Sequence, residues 1–285
     1  QILSALSTPL LSALAVAPNG ALFAGALSGE LFASFNYGKS WEEGRVPEES
    51  RATITALAAS PNFRKDGTVF AATDGAGILA SRNSGTVWED SSFGLGADTV
   101  LDLAMAPTWP RREIMFAATL EGVFVSRNGG RVWRDTNLYL ADDIVDALAT
   151  SPGFEDDATV YAGTENGAVY RSTNGGRSWD LLAEQVGQGP VNCLWVPSDH
   201  VESGLLVAAV GTQICVSEDS GESWHMAAEL PGAVLALAGD DDVLLAGLHE
   251  SGVWKSSDSG ESWESVSEDI AARGFSNLLP TEDGL

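Results

Sequence analysis

The feature that most constrains this chain is an eight-residue pattern, Ser-x-Asn/Asp-x-Gly-x-x-Trp, which occurs six times. The copies are Ser34, Asn36, Gly38, Trp41; Ser81, Asn83, Gly85, Trp88; Ser126, Asn128, Gly130, Trp133; Ser172, Asn174, Gly176, Trp179; Ser217, Asp219, Gly221, Trp224; and Ser256, Asp258, Gly260, Trp263. The tryptophans stand 47, 45, 46, 45 and 39 residues apart. Recurrence at near-constant spacing marks one supersecondary unit stacked repeatedly along the chain.

Each period reads as four short strands. A small apolar run comes first, as in Ile54–Leu57, Val100–Leu103, Val145–Leu148, Val191–Leu194 and Val234–Leu237. A β-rich run follows, as in Val69–Ala72, Met115–Ala118 and Val160–Gly163. The third strand leads into the octet and the fourth carries its Trp, with turn residues between. Four strands per period make one blade of an all-β propeller. A lone blade cannot cover both of its faces, so neighbours must do so. The 285 residues therefore predict one propeller domain of six four-stranded antiparallel blades. Seven blades, one incomplete, is the alternative, because Phe275–Leu278 resembles a further first strand and Ile2–Leu6 an unattached fourth one.

The octet residue types suit a tight turn between the third and fourth strands. Ser and Asn/Asp side chains accept hydrogen bonds from nearby backbone N–H groups. Gly takes a positive φ without a Cβ clash. Trp packs a large ring between blades, where its indole N–H needs an acceptor.

This octet resembles the Asp-box, or BNR, repeat, over roughly residues 10 to 267. The linkers Ser60–Phe70 and Ser151–Tyr161 are similar to those of bacterial BNR-like proteins. The resemblance implies a structural role for the octets. It also implies a place among sialidases, xyloglucan-cleaving glycoside hydrolases, sortilin-type receptors and photosystem II assembly factors, and an extracytoplasmic or peripheral location. Such a fold hosts many functions, so activity has to be argued from a site.

A formal charge of −25 argues against a nucleic-acid partner, which requires clustered Lys and Arg. No stretch is long and apolar enough to span a membrane, and no leader with a basic first segment is recognisable. In a four-strand meander the octets all lie on one end of the blades. The opposite end collects the second-to-third turns, with Glu30, Asp74, Glu121, Glu165 and Glu250. It also collects the loops between blades, with Glu48, Glu49, Asp98, Asp142, Asp143, Glu184, Glu229, Glu268 and Asp269. Asp102 and Asp146 add carboxylates on the innermost strands, where burial is costly without water or a partner. Asp98, Asp102, Asp142, Asp143, Asp146, Glu121 and Glu165 are the candidate binding face. It suits a basic protein segment, or a cation at the channel mouth.

Enzyme chemistry is poorly supported. The sialidase resemblance would require an arginine triad and a Tyr–Glu pair. Arg82, Arg127 and Arg131 belong to octet turns and Arg134 to a fourth strand, while Arg45, Arg51 and Arg273 are expected within reach of the opposite end. His200, His225 and His249 are dispersed and form no metal motif or triad, and no cofactor is implied. Cys193 and Cys215 fall two strands apart in one blade, too far to bridge. The reading is a monomeric, non-catalytic binding or assembly propeller. A glycan-binding or glycan-cleaving propeller is the alternative, since a carboxylate pair of the glycosidase kind could hide in so acidic a chain.

Overall fold

The computed structural model describes residues 10–138 and 143–266. The fold is an all-β six-bladed propeller, each blade a four-stranded antiparallel sheet. The chain divides into two compact units, the first holding three of these sheets and the second the other three. The proposed extra strands at 2–6 and 275–278 lie outside the described residues.

In the first unit the sheets are β1 (Leu11–Val16) to β4 (Glu42–Glu43), with β2 (Leu22–Ala26) and β3 (Leu31–Ser34) between them; β5 (Thr53–Ala59), β6 (Val69–Asp74), β7 (Ile78–Ser81), β8 (Glu89–Asp90); and β9 (Val100–Met105), β10 (Met115–Thr119), β11 (Gly122–Ser126), β12 (Trp133–Asp135). In the second unit they are β13 (Val145–Thr150), β14 (Val160–Thr164), β15 (Val169–Ser172), β16 (Asp180–Ala183); β17 (Val191–Trp195), β18 (Leu206–Val210), β19 (Gln213–Ser217), β20 (His225–Glu229); and β21 (Val234–Gly239), β22 (Leu244–Leu248), β23 (Gly252–Ser256), β24 (Glu264–Ser265).

The second strands β10, β14, β18 and β22 are buried throughout, and in the first unit β2 and β6 have one less buried residue each. Small residues of the second strands set the spacing between blades. A Cβ on Gly25 would stand 2.4 Å from Ile54 in the first unit, and one on Gly163 would stand 2.3 Å from Val191 in the second. A β-branched side chain that opens the next blade therefore docks against bare backbone.

The first strand of every sheet carries a register shift near its start. Bulges of this kind bend a strand and re-aim one side chain. The re-aimed Ser12 and Thr55 donate to the Ile54 and Val100 carbonyls at 2.5 Å, and Asn192 donates to that of Val234 at 2.8 Å. Each bond ties one innermost strand to the next within its unit.

The first-to-second connections add short helical turns, α1 (Phe63–Asp66), α2 (Phe154–Asp157) and α3 (His200–Ser203). Asp66 and Asp157 accept from Ser60 (2.7 Å) and Ser151 (2.5 Å) and from the backbone of Thr68 (2.8 Å) and Thr159 (2.7 Å), which locks the two loops in the same shape. The aromatic of such a loop meets the strand aromatic of the preceding blade edge-on: Phe63 on Phe23 at 5.3 Å, Trp109 on Phe70 at 6.2 Å, His200 on Tyr161 at 5.5 Å. Cys193 and Cys215 form no disulfide; their thiols donate to Leu235 O and Val186 O. Burial pushes Cys215 up to about 11.

Candidate functional site

The octet turns form closed hydrogen-bond networks. In each, the buried Ser Oγ accepts the Gly N–H at 2.8–2.9 Å: Ser34 from Gly38, Ser81 from Gly85, Ser126 from Gly130, Ser172 from Gly176, Ser217 from Gly221, Ser256 from Gly260. The same Oγ donates to Oδ1 of Asn36, Asn83, Asn128, Asn174, Asp219 or Asp258 at 2.8–3.0 Å. That Oδ1 also accepts the N–H four residues on, at Ser40, Val87, Val132, Ser178, Ser223 and Ser262. Where the acid replaces Asn, the following Ser hydroxyl donates to its second oxygen, so the Asp219 and Asp258 carboxyls sit below the usual range. The Ser223 and Ser262 hydroxyls are the largest cause.

Two positions per octet, not one, take the left-handed backbone. Tyr37, Ser84, Ser220 and Ser259 precede the octet glycine at φ 58–61°. The glycine has a second duty, which sequence reading missed: a Cβ on Gly130 would lie 2.6 Å from Phe70, and one on Gly85 would lie 2.9 Å from Phe23 of the preceding blade.

The tryptophans differ although their motifs are alike. Trp88 and Trp133 are buried, while Trp41, Trp179, Trp224 and Trp263 are half-buried. The Nε1 of Trp88, Trp224 and Trp263 donates to its own octet Gly carbonyl at 2.8–3.0 Å. Trp133 instead reaches Ser91 O (2.7 Å) and Trp179 reaches Thr136 Oγ1 (3.1 Å). The buried Nε1 of Trp41 finds no acceptor among the described residues.

The opposite blade ends carry the candidate acidic residues. In the first unit the Asp98 carbonyl accepts the Gly75 and Gly77 N–H groups at 3.1 and 2.7 Å, which binds a loop between blades to a second-to-third turn. Thr99 donates to Asp74 at 2.9 Å. The Glu121 carboxylate lies against Gly96, so Asp74, Asp98 and Glu121 share one locality, with Asp98 and Glu121 exposed. Asp102 sits half-buried opposite Ala118 and accepts the Leu103 N–H at 2.7 Å. In the second unit Asp143 Oδ1 accepts from Ile144 N–H (2.9 Å) and Asn166 N–H (3.1 Å), so part of its charge serves the turn itself. Glu165 is exposed beside it, its N–H on Ile144 O. Asp146 is the half-buried bulge residue of β13. Asp142 and the loop carboxylates Glu268 and Asp269 lie outside the described residues. Among the described residues no three His, Cys, Asp or Glu are grouped to hold a metal ion.

One arginine placement is corrected. Arg45 exchanges backbone hydrogen bonds with Thr86 and Trp88, so it lies beside the second octet and not at the opposite end. The fourth strand ends after two residues, and the chain then runs along the next blade's octet. Arg51 does reach the opposite end, 3.6 Å from Glu43 and close enough to help lower the Glu30 pKa, which the Ser28 hydroxyl lowers most. Arg273 is outside the described residues.

The histidines are separate. His200 is buried; its Nδ1–H donates to Leu205 O at 2.6 Å, and its Nε2 hydrogen-bonds the Tyr161 hydroxyl at 3.0 Å. His225 meets Glu261 at 2.9 Å on the surface, and His249 stands 3.9 Å from Glu250.

Comparison with known proteins places the fold and goes no further. No protein-family model and no curated protein matches the sequence. Among solved structures, U3-55K superposes with a TM-score of 0.75 at 15% identity, over 97% of this chain and 86% of that one. YCF48 from Cyanidioschyzon merolae gives 0.68 at 13%, over 94% and 87%. The extracellular domain of a hybrid two-component system from B. thetaiotaomicron gives 0.71 at 17%, over 97% of this chain. The chain spans 36% of that last protein's length. At such identities the likeness is one of fold alone, and the solved structures that share it include both YCF48 and WD40 repeats. No helix among the described residues is long and apolar enough to cross a membrane.

Proposed function

We propose that this chain is a non-catalytic, single-domain binding propeller of the Asp-box (BNR) kind, which engages a basic protein segment through the blade ends opposite the octets. One observation carries the reading. The octet side chains are consumed by their own turns, whereas Asp98 and Glu121 of the first unit stand exposed on turns whose backbone is pinned. Rigid display of like charge favours a cationic partner, with fast, salt-dependent association.

The test uses a labelled Lys- and Arg-rich peptide at low salt. Asp98→Asn with Glu121→Gln is expected to weaken binding by about fivefold or more, and added salt to do the same. A matched control, Glu42→Gln with Glu89→Gln, removes two charges from outermost strands of the same unit. Equal losses in both variants would show that net charge alone attracts the peptide, and the proposed face would be wrong.

A further inference from the structure

In a chain so acidic, six of the fifteen basic residues fall between positions 82 and 134: Arg82, Arg111, Arg112, Arg127, Arg131 and Arg134. Four of them line two depressions of the first unit. One, of about 360 Å³, is lined by Arg82, Asp90, Ser91, Phe93 and Arg131. The other, of about 390 Å³, is lined by Val125, Arg127, Asn128, Val132 and Arg134. They adjoin the same octet turn, Ser126 to Trp133. Each is at the small end of ligand clefts, which run from about 300 to 1,000 Å³.

The first depression is built from held groups. Arg82 donates to Gly129 O at 2.9 Å and stands 5.9 Å above the Phe70 ring. Arg131 donates to Asn128 O at 2.6 Å and to Glu113 at 2.8 Å. The two guanidiniums are thus anchored to adjacent residues of one turn. Partial burial, and next the Arg131 charge, lower the Arg82 pKa, so like charges are held close there. Phe93 is 74% exposed, yet its carbonyl is fixed by the Trp133 N–H at 2.9 Å. Gly94 follows at φ 85°, and a Cβ there would strike the Trp133 carbonyl at 2.5 Å. The ring is therefore presented to solvent by a pinned backbone. Arg45 occupies the corresponding place beside the preceding octet, donating its N–H to Thr86 O while its carbonyl accepts the Trp88 N–H.

We infer that this octet turn is a docking site for an extended acidic peptide segment, with a carboxylate between Arg82 and Arg131, an apolar side chain on Phe93, and a further acidic residue reaching Arg134 across the turn. Bidentate guanidinium–carboxylate pairing supplies direction, and the exposed ring supplies apolar area. The wall chemistry narrows the occupant. Asp90 can accept a peptide N–H, a donor that a sugar–phosphate backbone lacks. Phe93 is the one aromatic among the lining residues, a platform for a single side chain and not a track for successive sugar rings. Two small depressions on either side of one turn match side chains spaced along an extended strand.

The test is fluorescence anisotropy at low salt with a labelled peptide alternating Glu and Leu around one Phe. Its all-Gln counterpart and oligogalacturonate serve as the other arms. The wild-type chain is expected to bind the acidic peptide and not the Gln version. Phe93→Ser should weaken binding about fivefold or more, and Arg131→Gln with Arg134→Gln as much again. Thermal melts report whether these surface variants fold. Arg82 is spared because it also braces the turn. Asp98→Asn with Glu121→Gln should leave this affinity unchanged or raise it, which separates the site from the acidic face. No binding by the wild type, equal binding by the Phe93 and arginine variants, equal binding of the Gln peptide, or a preference for oligogalacturonate would each overturn the proposal.

Discussion

The two ends of a blade spend their polar groups differently. At the octet end, Ser126, Asn128 and Gly130 bond to one another and to the turn backbone, and the turn then becomes a wall for the neighbouring blade's Phe70. At the opposite end, Asp98 and Glu121 occupy turns held through backbone bonds and the hydroxyls of Thr73, Thr99 and Thr119, while these two residues are themselves exposed. One end repeats because every copy solves the same folding problem. The other is free to vary at Asp98 and Glu121, because the turns there are held by backbone and threonine hydroxyls. Side-chain changes at the octet end should therefore be costly, and similar changes at the opposite end should be nearly silent.

The largest effect is expected at Trp133, which is 1% exposed and bonded to Ser91 O. Trp133→Ala should cost about 3–5 kcal/mol, the range for truncating a buried aromatic. A thermal melt unchanged within error would remove the ring from the core. Next comes a pair of glycines that share a positive φ. Gly130→Ala meets Phe70 at 2.6 Å, whereas Gly75→Ala, at the opposite end, meets nothing within 4 Å. Both incur the left-handed backbone penalty of about 1–2 kcal/mol. Overpacking should add about 1–3 kcal/mol for Gly130 alone. Equal denaturation midpoints would break the comparison.

A smaller, pH-dependent effect is expected at Asp219 and Asp258. Their folded pKa values lie below the unfolded one, so the stability they contribute is present above the unfolded pKa. It is lost as pH falls through the lowered folded value, a window below about pH 4. Asp219→Asn with Asp258→Asn should fold, since Asn fills the same place in four octets. Any stability deficit of this variant at pH 7 should shrink towards pH 3; a deficit constant with pH would show that the carboxyls carry no linkage. The smallest effect belongs to Asp98→Asn with Glu121→Gln. Their melting curve should match the parent within about 0.5 kcal/mol while binding of a basic peptide falls.

The sequence by itself determined what is local. Ser, Asn or Asp, and Gly lie within five residues of one another, so their turn network follows from spacing, and the six-fold recurrence of that turn with four short apolar runs per period determines the blades. The acidic turns could be assigned to one end because strand direction alternates. Only the tertiary structure decided which groups meet across about forty residues of chain. The short fourth strand sends Arg45 alongside the second octet and Phe93 alongside the third. Trp133 and Trp88 share a motif yet donate to different acceptors, because the neighbouring blade offers Ser91 O to one of them. The Tyr161–His200 pair is likewise invisible in sequence, where one residue reads as a strand aromatic and the other as a loop histidine. Such partners depend on how one sheet sits on the next. That packing is set by residues such as Gly25 and Gly163, whose missing side chains make room for it.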